Sequence, residues 1–167
     1  MIDYGQFCTV ARGAEVLAPS RSDSFIQLID ARDLADWAIS MIERKATGVY
    51  NTHGVPNTLT MQRLLDECRS VSESDAHFTW VSEDFLLEEK VAAWSELPLW
   101  LPEEAAPHLK GFMFISPDKA IAAGLTLRPL SDTIRDTLTW YPTRGDNTLK
   151  AGLDRDKERA LLYKWRS

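Results

Sequence analysis

Cysteine and histidine are scarce in this chain of 167 residues, which has two of the first and three of the second. Cys8 and Cys68 form no CxxC pair, and His53, His77 and His108 are dispersed without an HExxH or comparable spacing. The ligand sets of zinc and redox centres are therefore missing. Each cysteine reads as a small buried hydrophobe or a surface thiol. Positive charge is also short: 19 Lys and Arg stand against 25 Asp and Glu, a formal net charge of -6, and the basic residues are scattered. That excludes the basic stripe that contact with nucleic acid requires. No apolar run nears the roughly 18 residues needed to span a bilayer. Met1-Ile2-Asp3-Tyr4 lacks the basic start and apolar stretch of a signal peptide. The expected compartment is the cytoplasm, with neither nucleic acid nor membrane as partner.

The sequence does contain enough apolar residues, 44%, to build a core, and its length fits one domain or one large lobe of a longer protein. Apolar periodicity predicts mixed α and β structure. Residues 6 to 12 read as the end of a helix, and Glu15-Val16-Leu17-Ala18 as a short strand stopped by Pro19-Ser20. Phe25 to Ile29 reads as a buried strand. Asp30 suits an N-cap, with Asp33 adding negative charge to the first turn of a helix over about 31 to 45. Its apolar face is Leu34, Ala35, Ala38, Ile39, Met41 and Ile42, and Lys45 and Gly48 mark its end.

Gly48 to Thr52 is a further strand candidate, followed by a helix that Thr60 caps and that carries Leu64, Leu65, Cys68 and Val71 on one face. Phe78 to Val81 reads as a strand, and Ser82 as the start of a helix to about Val91. Beyond the prolines of the next segment, Phe112 to Ile115 is strand-like and Ser116-Pro117 opens a short helix that Gly124 stops. Ser131 caps another helix, bearing Ile134, Leu138 and Tyr141, that Pro142 ends. A polar link, Thr143 to Thr148, leads to a last helix around Arg155 to Trp165. This alternation predicts an α/β fold with a small, mostly parallel sheet covered by helices. Residues 1–142 form the α/β domain by this reading, and 143–167 a link and helix packed on it.

WSELPLWLPEEAAP, from Trp94 to Pro107, holds three prolines and two tryptophans and reads as an ordered apolar loop. Trp94, Leu97, Trp100 and Leu101 are the candidate substrate-binding residues, since aromatic walls suit a pocket. Packing between helices is the competing reading. Phe112 and Phe114 read as core, His53 as a solvated turn residue, and Glu88-Glu89 and Glu103-Glu104 as solvated acidic faces.

Four stretches together resemble the C-terminal part of extended short-chain dehydrogenases/reductases, the NAD-dependent epimerase/dehydratase and reductase-related group. They are FIQLIDARDLADW, GVYNTHG with LTMQRLLDEC behind it, FTWVSEDFL, and ISPDKAIAAGLTLRPLSDTIRDTLTWY. They cover most of residues 13 to 141. The resemblance implies a substrate lobe, with Asp30 and Asp33 as structural caps. It also implies what is missing. The family's glycine-rich phosphate turn has no counterpart here, and no tyrosine is followed four positions later by lysine, so the Tyr-x-x-x-Lys proton-transfer pair is absent. Ile26 stands where nucleotide-sugar epimerases carry a diphosphate-binding arginine, and Arg21 lies several residues earlier. That departure leans toward the reductase-like branch.

The expected function follows: the C-terminal substrate-binding portion of an NAD(P)-dependent reductase or epimerase, inactive alone, with no catalytic, cofactor or metal residue of its own. NAD(P) belongs to the full-length family. Its partners are a small-molecule substrate and either a second copy, as a homodimer, or a missing Rossmann half to cover exposed faces. The alternative is a stand-alone, non-catalytic module that binds a ligand or a protein.

Overall fold

In the computed structural model, which describes residues 5–102, 107–109, 111–145 and 151–167, seven α-helices surround two short strands. The acidic pair Glu103-Glu104 and the end of the polar link, 146–148, lie outside the described residues. The strands β1 (Glu15–Pro19) and β2 (His77–Val81) are parallel neighbours, with Glu15 opposite His77 and Pro19 opposite Val81. Helix α1 (Gly5–Ala11) precedes β1, and α2 (Ala31–Glu43) and α3 (Met61–Ser72) run between the two strands. After β2 come α4 (Glu83–Glu88), α5 (Asp118–Ala122), α6 (Leu130–Trp140) and α7 (Arg155–Trp165). Among the described residues no helix is long and apolar enough to cross a membrane.

Local chemistry sets most helix starts. The side chains of Asp30, Thr60 and Ser82 accept from the N–H groups of Arg32, Arg63 and Phe85, satisfying donors that the first turns of α2, α3 and α4 leave open. The Ser116 hydroxyl accepts from the Asp118 N–H at 3.1 Å, though Pro117 is the cap of α5 and not its first residue. Gly124, at φ +95°, ends that helix as expected. Ser131 does not cap α6; it sits inside the first turn, behind Pro129, which has no side-chain acceptor.

Three predicted strands are absent. Phe25 makes one antiparallel bridge, to Thr60, and residues 26–30 are irregular. Residues 49–55 carry no helix or strand, and Phe112 and Phe114 donate to Leu109 and Gly111 in tight turns. All three segments have strand composition, but the backbone pairing they show is limited to the single bridge at Phe25, where the Ile26 N–H donates to the Leu59 carbonyl. The side chain of Gln27 substitutes. Its Nε2 donates to the carbonyls of Gly54 (2.7 Å) and Ile115 (2.9 Å), while its Oε1 accepts from the Ile115 N–H at 3.0 Å. Gly54 is required at this junction, because a β-carbon there would lie 2.6 Å from the Leu28 carbonyl oxygen.

The core has two parts. Val10, Val16, Ile26, Met61, Leu64, Leu65, Cys68 and Ile134 fill the space among β1, α1, α3 and α6. Leu17, Val81, Leu86 and Leu97 meet Leu161 and Leu162 of α7 on the other side. Glu158 of α7 is buried, and its carboxylate accepts from the Leu17 N–H at 3.1 Å. Burial pushes the Glu158 carboxyl above its ordinary value, against the pull of the Leu17 N–H and Arg12.

The apolar face predicted for α2 is not core. Only Asp33 and Met41 of that helix are buried, whereas Ile39 and Ile42 are 57% and 75% exposed.

Gln27→Glu tests the amide junction: it keeps the acceptor for Ile115 but points a second carboxylate oxygen at two carbonyls. Urea unfolding is expected to show a loss of about 2 kcal/mol at pH 7, partly recovered at pH 4 as the new carboxyl protonates.

Candidate functional site

Both parallel strands end at one place, and a cleft of about 450 Å³ opens there. Carboxyl ends of parallel strands are where α/β folds gather ligands, and the volume is in the range of small-molecule pockets. Past Pro19, Ser20 turns the chain at φ +55° while its N–H donates to the Val81 carbonyl at 2.8 Å. Ser20, Arg21 and residues 23–26 form one wall. Met61 at the start of α3 lies behind them, fixed by its N–H on the Ser24 carbonyl at 2.9 Å. Leu99 to Pro102 make a second wall, and Leu109, Met113 and Phe114 a third. Gln27, bonded to Ile115, ties the first wall to the third.

The four residues singled out from the sequence separate. Trp100 and Leu101 line the cleft. Leu97 instead packs in the second core cluster with Val81, Leu86 and Val91. Trp94 stands 38% exposed, with its ring edge-on to Phe112 at 5.6 Å. Their loop is held by Glu96, which accepts from the Ala92 N–H (2.7 Å) and pairs with Lys157 of α7 (2.6 Å). Against burial, which raises it, these two contacts leave the Glu96 carboxyl below its ordinary value. Trp100 is 4% exposed, and its indole N–H has no acceptor among the described residues. It is thus a core residue with one edge on the cleft.

Several lining residues escaped the sequence reading. Phe25 and Phe114, 37% and 49% exposed, form an edge-to-face pair at 6.2 Å on the cleft. Both sit in segments whose composition reads as buried strand. The rim is charged. Arg21 forks onto Asp23 through two bonds of 3.0 Å, and Glu83, the first residue of α4, also lines the cleft. The Arg21 bond holds the Asp23 carboxyl below its ordinary value.

A second charged group lies at the start of α2. Asp30 accepts from the Arg32 side chain at 2.8 Å and from the Thr133 hydroxyl at 2.8 Å. Asp33 accepts from the backbone N–H (2.9 Å) and Nε (2.6 Å) of Arg128. Arg32 also reaches Asp136 of α6 at 2.5 Å. The Arg32 contact, foremost, holds the Asp30 carboxyl well below the usual carboxylate range despite burial. Every carboxylate here already has cationic or hydroxyl partners, so the group docks α2 against the approach to α6 and has the form of a structural clamp. Among the described residues no three His, Cys, Asp or Glu side chains come together as a metal-holding group.

Two measurements test these assignments. Asp30→Asn should lower stability by about 2 kcal/mol at pH 7. Because the folded carboxyl titrates lower than the unfolded one, the wild-type advantage is present in full above about pH 4 and should shrink as pH drops further, so the gap between the two urea midpoints is narrower at pH 2 than at pH 7. In thermal unfolding, Trp100→Ala should cost about 3 kcal/mol or more, as loss of a buried aromatic does. Phe114→Ala, at the open mouth, should cost about 1 kcal/mol or less. Compared with family models, curated proteins and solved structures, the chain matches none.

Proposed function

We propose that this chain is the C-terminal, substrate-binding portion of an NAD(P)-dependent reductase or epimerase of the extended short-chain dehydrogenase type, and that the cleft at the strand ends receives the substrate. The cofactor and the proton-transferring tyrosine would come from a nucleotide-binding half. The reaction would be hydride transfer between nicotinamide and a substrate carbonyl or alcohol.

The exposed apolar surface of α2 and of the stretch after it carries this reading. Leu34, Ile39 and Ile42 project from α2, and Val49 is 86% exposed on an extended stretch that makes no strand. Such a surface calls for cover. The bare residues lie in α2 and in the GVYNTHG stretch, which resemble the family's helix packed on the main domain and the last strand of its parallel sheet. Cover by a second copy of the chain is the other occupant of this surface. The stand-alone module remains as a second reading because the cleft is walled by this chain's own residues.

The test is the native product in its source cells, followed by immunoblot and intact mass. A product roughly twice this length that binds NADH supports the reading. Ile42→Asp should then lower the melting temperature of that product, yet leave the present chain within about 0.5 kcal/mol of wild type. A product of this length that binds no NADH, alone or as a dimer, would overturn it.

A further inference from the structure

The two edges of the small sheet differ. On β1 the Leu17 N–H faces away from β2 and is occupied by Glu158. Successive residues of a strand turn their backbone groups to opposite sides. With Val16 opposite Phe78 and Ala18 opposite Trp80, the His77 N–H meets the Ala14 carbonyl and the Val81 carbonyl meets the Ser20 N–H, so His77, Thr79 and Val81 face β1. Phe78 and Trp80 therefore aim their N–H and C=O groups outward. Among the described residues these groups have no hydrogen-bond partner, and no further strand or helix lies beside them.

Nothing in the sequence of this edge discourages pairing. Exposed edges are ordinarily blunted by lysine, proline or a bulge. The strand His-Phe-Thr-Trp-Val has neither lysine nor proline and pairs with β1 in unbroken register, and its aromatic and β-branched residues favour strands.

The strand is also complementary to itself. Set a second β2 antiparallel to the first with Thr79 on the twofold axis, and Phe78 falls opposite the partner's Trp80 while Trp80 falls opposite the partner's Phe78. These are the residues whose backbone groups point outward, so each opposed pair exchanges two bonds and all the outward groups are satisfied. The same pairs set aromatic ring beside aromatic ring, a favourable cross-strand combination. Arg69 stands over the Phe78 ring at 5.1 Å and would lie next to the partner's Trp80, the best aromatic face for a cation. Charge agrees: the end of each strand with Arg69 and the exposed His77 approaches the partner's other end, where Asp84 is exposed in the first turn of α4. An unrelated peptide could use the backbone groups but would lack these matches.

We infer that two copies of this chain pair through β2, antiparallel about Thr79, into one sheet ordered β1-β2-β2-β1. The pairing goes beyond the functional reading and is independent of what covers α2. Five-residue strands make a small interface, below about 1,200 Å², so the dimer is reversible.

Sedimentation equilibrium of the present chain should show a mass that climbs from one chain towards two as concentration rises. Over the same range the Phe78 and Trp80 amides should exchange with solvent more slowly, about tenfold when nine-tenths of the chain is paired. Thr79→Cys should join two chains on mild oxidation, because the axis places the two side chains at the close spacing of a non-hydrogen-bonded pair. Wild type, with Cys8 and Cys68 in place, is the control. Phe78→Pro removes one outward donor from each chain at a position where an edge strand tolerates proline, and should weaken the dimer at least about tenfold. If that variant fails to fold, the cysteine variant and the amide exchange decide. Ile42→Asp should leave the dimer unchanged. A chain that stays single up to about 1 mM, a dimer that Ile42→Asp dissolves, or a Thr79→Cys chain that crosslinks no more than wild type would overturn the inference. None of these outcomes bears on the reductase reading, which the length and NADH binding of the native product decide.

Discussion

The primary amide of Gln27 is the constraint on which the site depends. Three segments with strand-like composition, around Ile26, Gly54 and Ile115, come together with no backbone ladder between them. One side chain provides two donations and one acceptance in their place. An amide has the right inventory for this, since it mimics a peptide group in presenting a donor and an acceptor in one plane. The residue is 6% exposed, so each of these bonds forms away from competing water. It joins the wall carrying Phe25 to the wall carrying Phe114 by hydrogen bonds, alongside the contact of their rings and the shared burial of Ile26 and Met113.

The clamp at the start of α2 has a different logic. It holds a helix through its polar end and leaves its apolar flank outward. Asp30 and Asp33 anchor the first turn to Thr133 and Arg128, while the Trp37 indole at mid-helix and the Arg44 guanidinium at the far end both donate to the Ala123 carbonyl behind α5. The helix is therefore fixed at both ends by hydrogen bonds and needs little apolar burial from the rest of the chain. Stability and exposure coexist because different atoms supply them.

Much of the helical framework was legible in the sequence, because helix ends are written locally. Asp30, Thr60 and Ser82 each reach their own first turn, and no distant residue is consulted. Strands were less legible. Glu15–Pro19 and His77–Val81 pair, while Phe25–Ile29 and Gly48–Thr52, with similar composition, do not. Composition marks a segment as fit for a pleated, half-buried surface, but the partner is decided by the tertiary fold. The same limit applied to the cleft. Trp100 and Leu101 could be nominated from an apolar, proline-broken loop; Phe25 and Phe114 could not, since their half-exposure comes from the absence of ladders around them. Leu97 and Trp94 show the converse, because a shared loop does not give its residues a shared direction.

The carboxylate of Glu158 on the outer side of β1 has a consequence for the behaviour of many copies at once. Short parallel strands invite edge-to-edge stacking, and a row of such copies can lengthen only if each one offers two usable edges. Here the Leu17 N–H that points away from β2 is already taken from within the chain, and the neighbouring Glu15 is paired with Arg166 at the end of the same helix. Addition through β1 would first require α7 to peel away and leave a buried carboxyl without its partner. The β1 edge of the sheet is thus covered from within the chain at this point, independently of the bare apolar surface of α2.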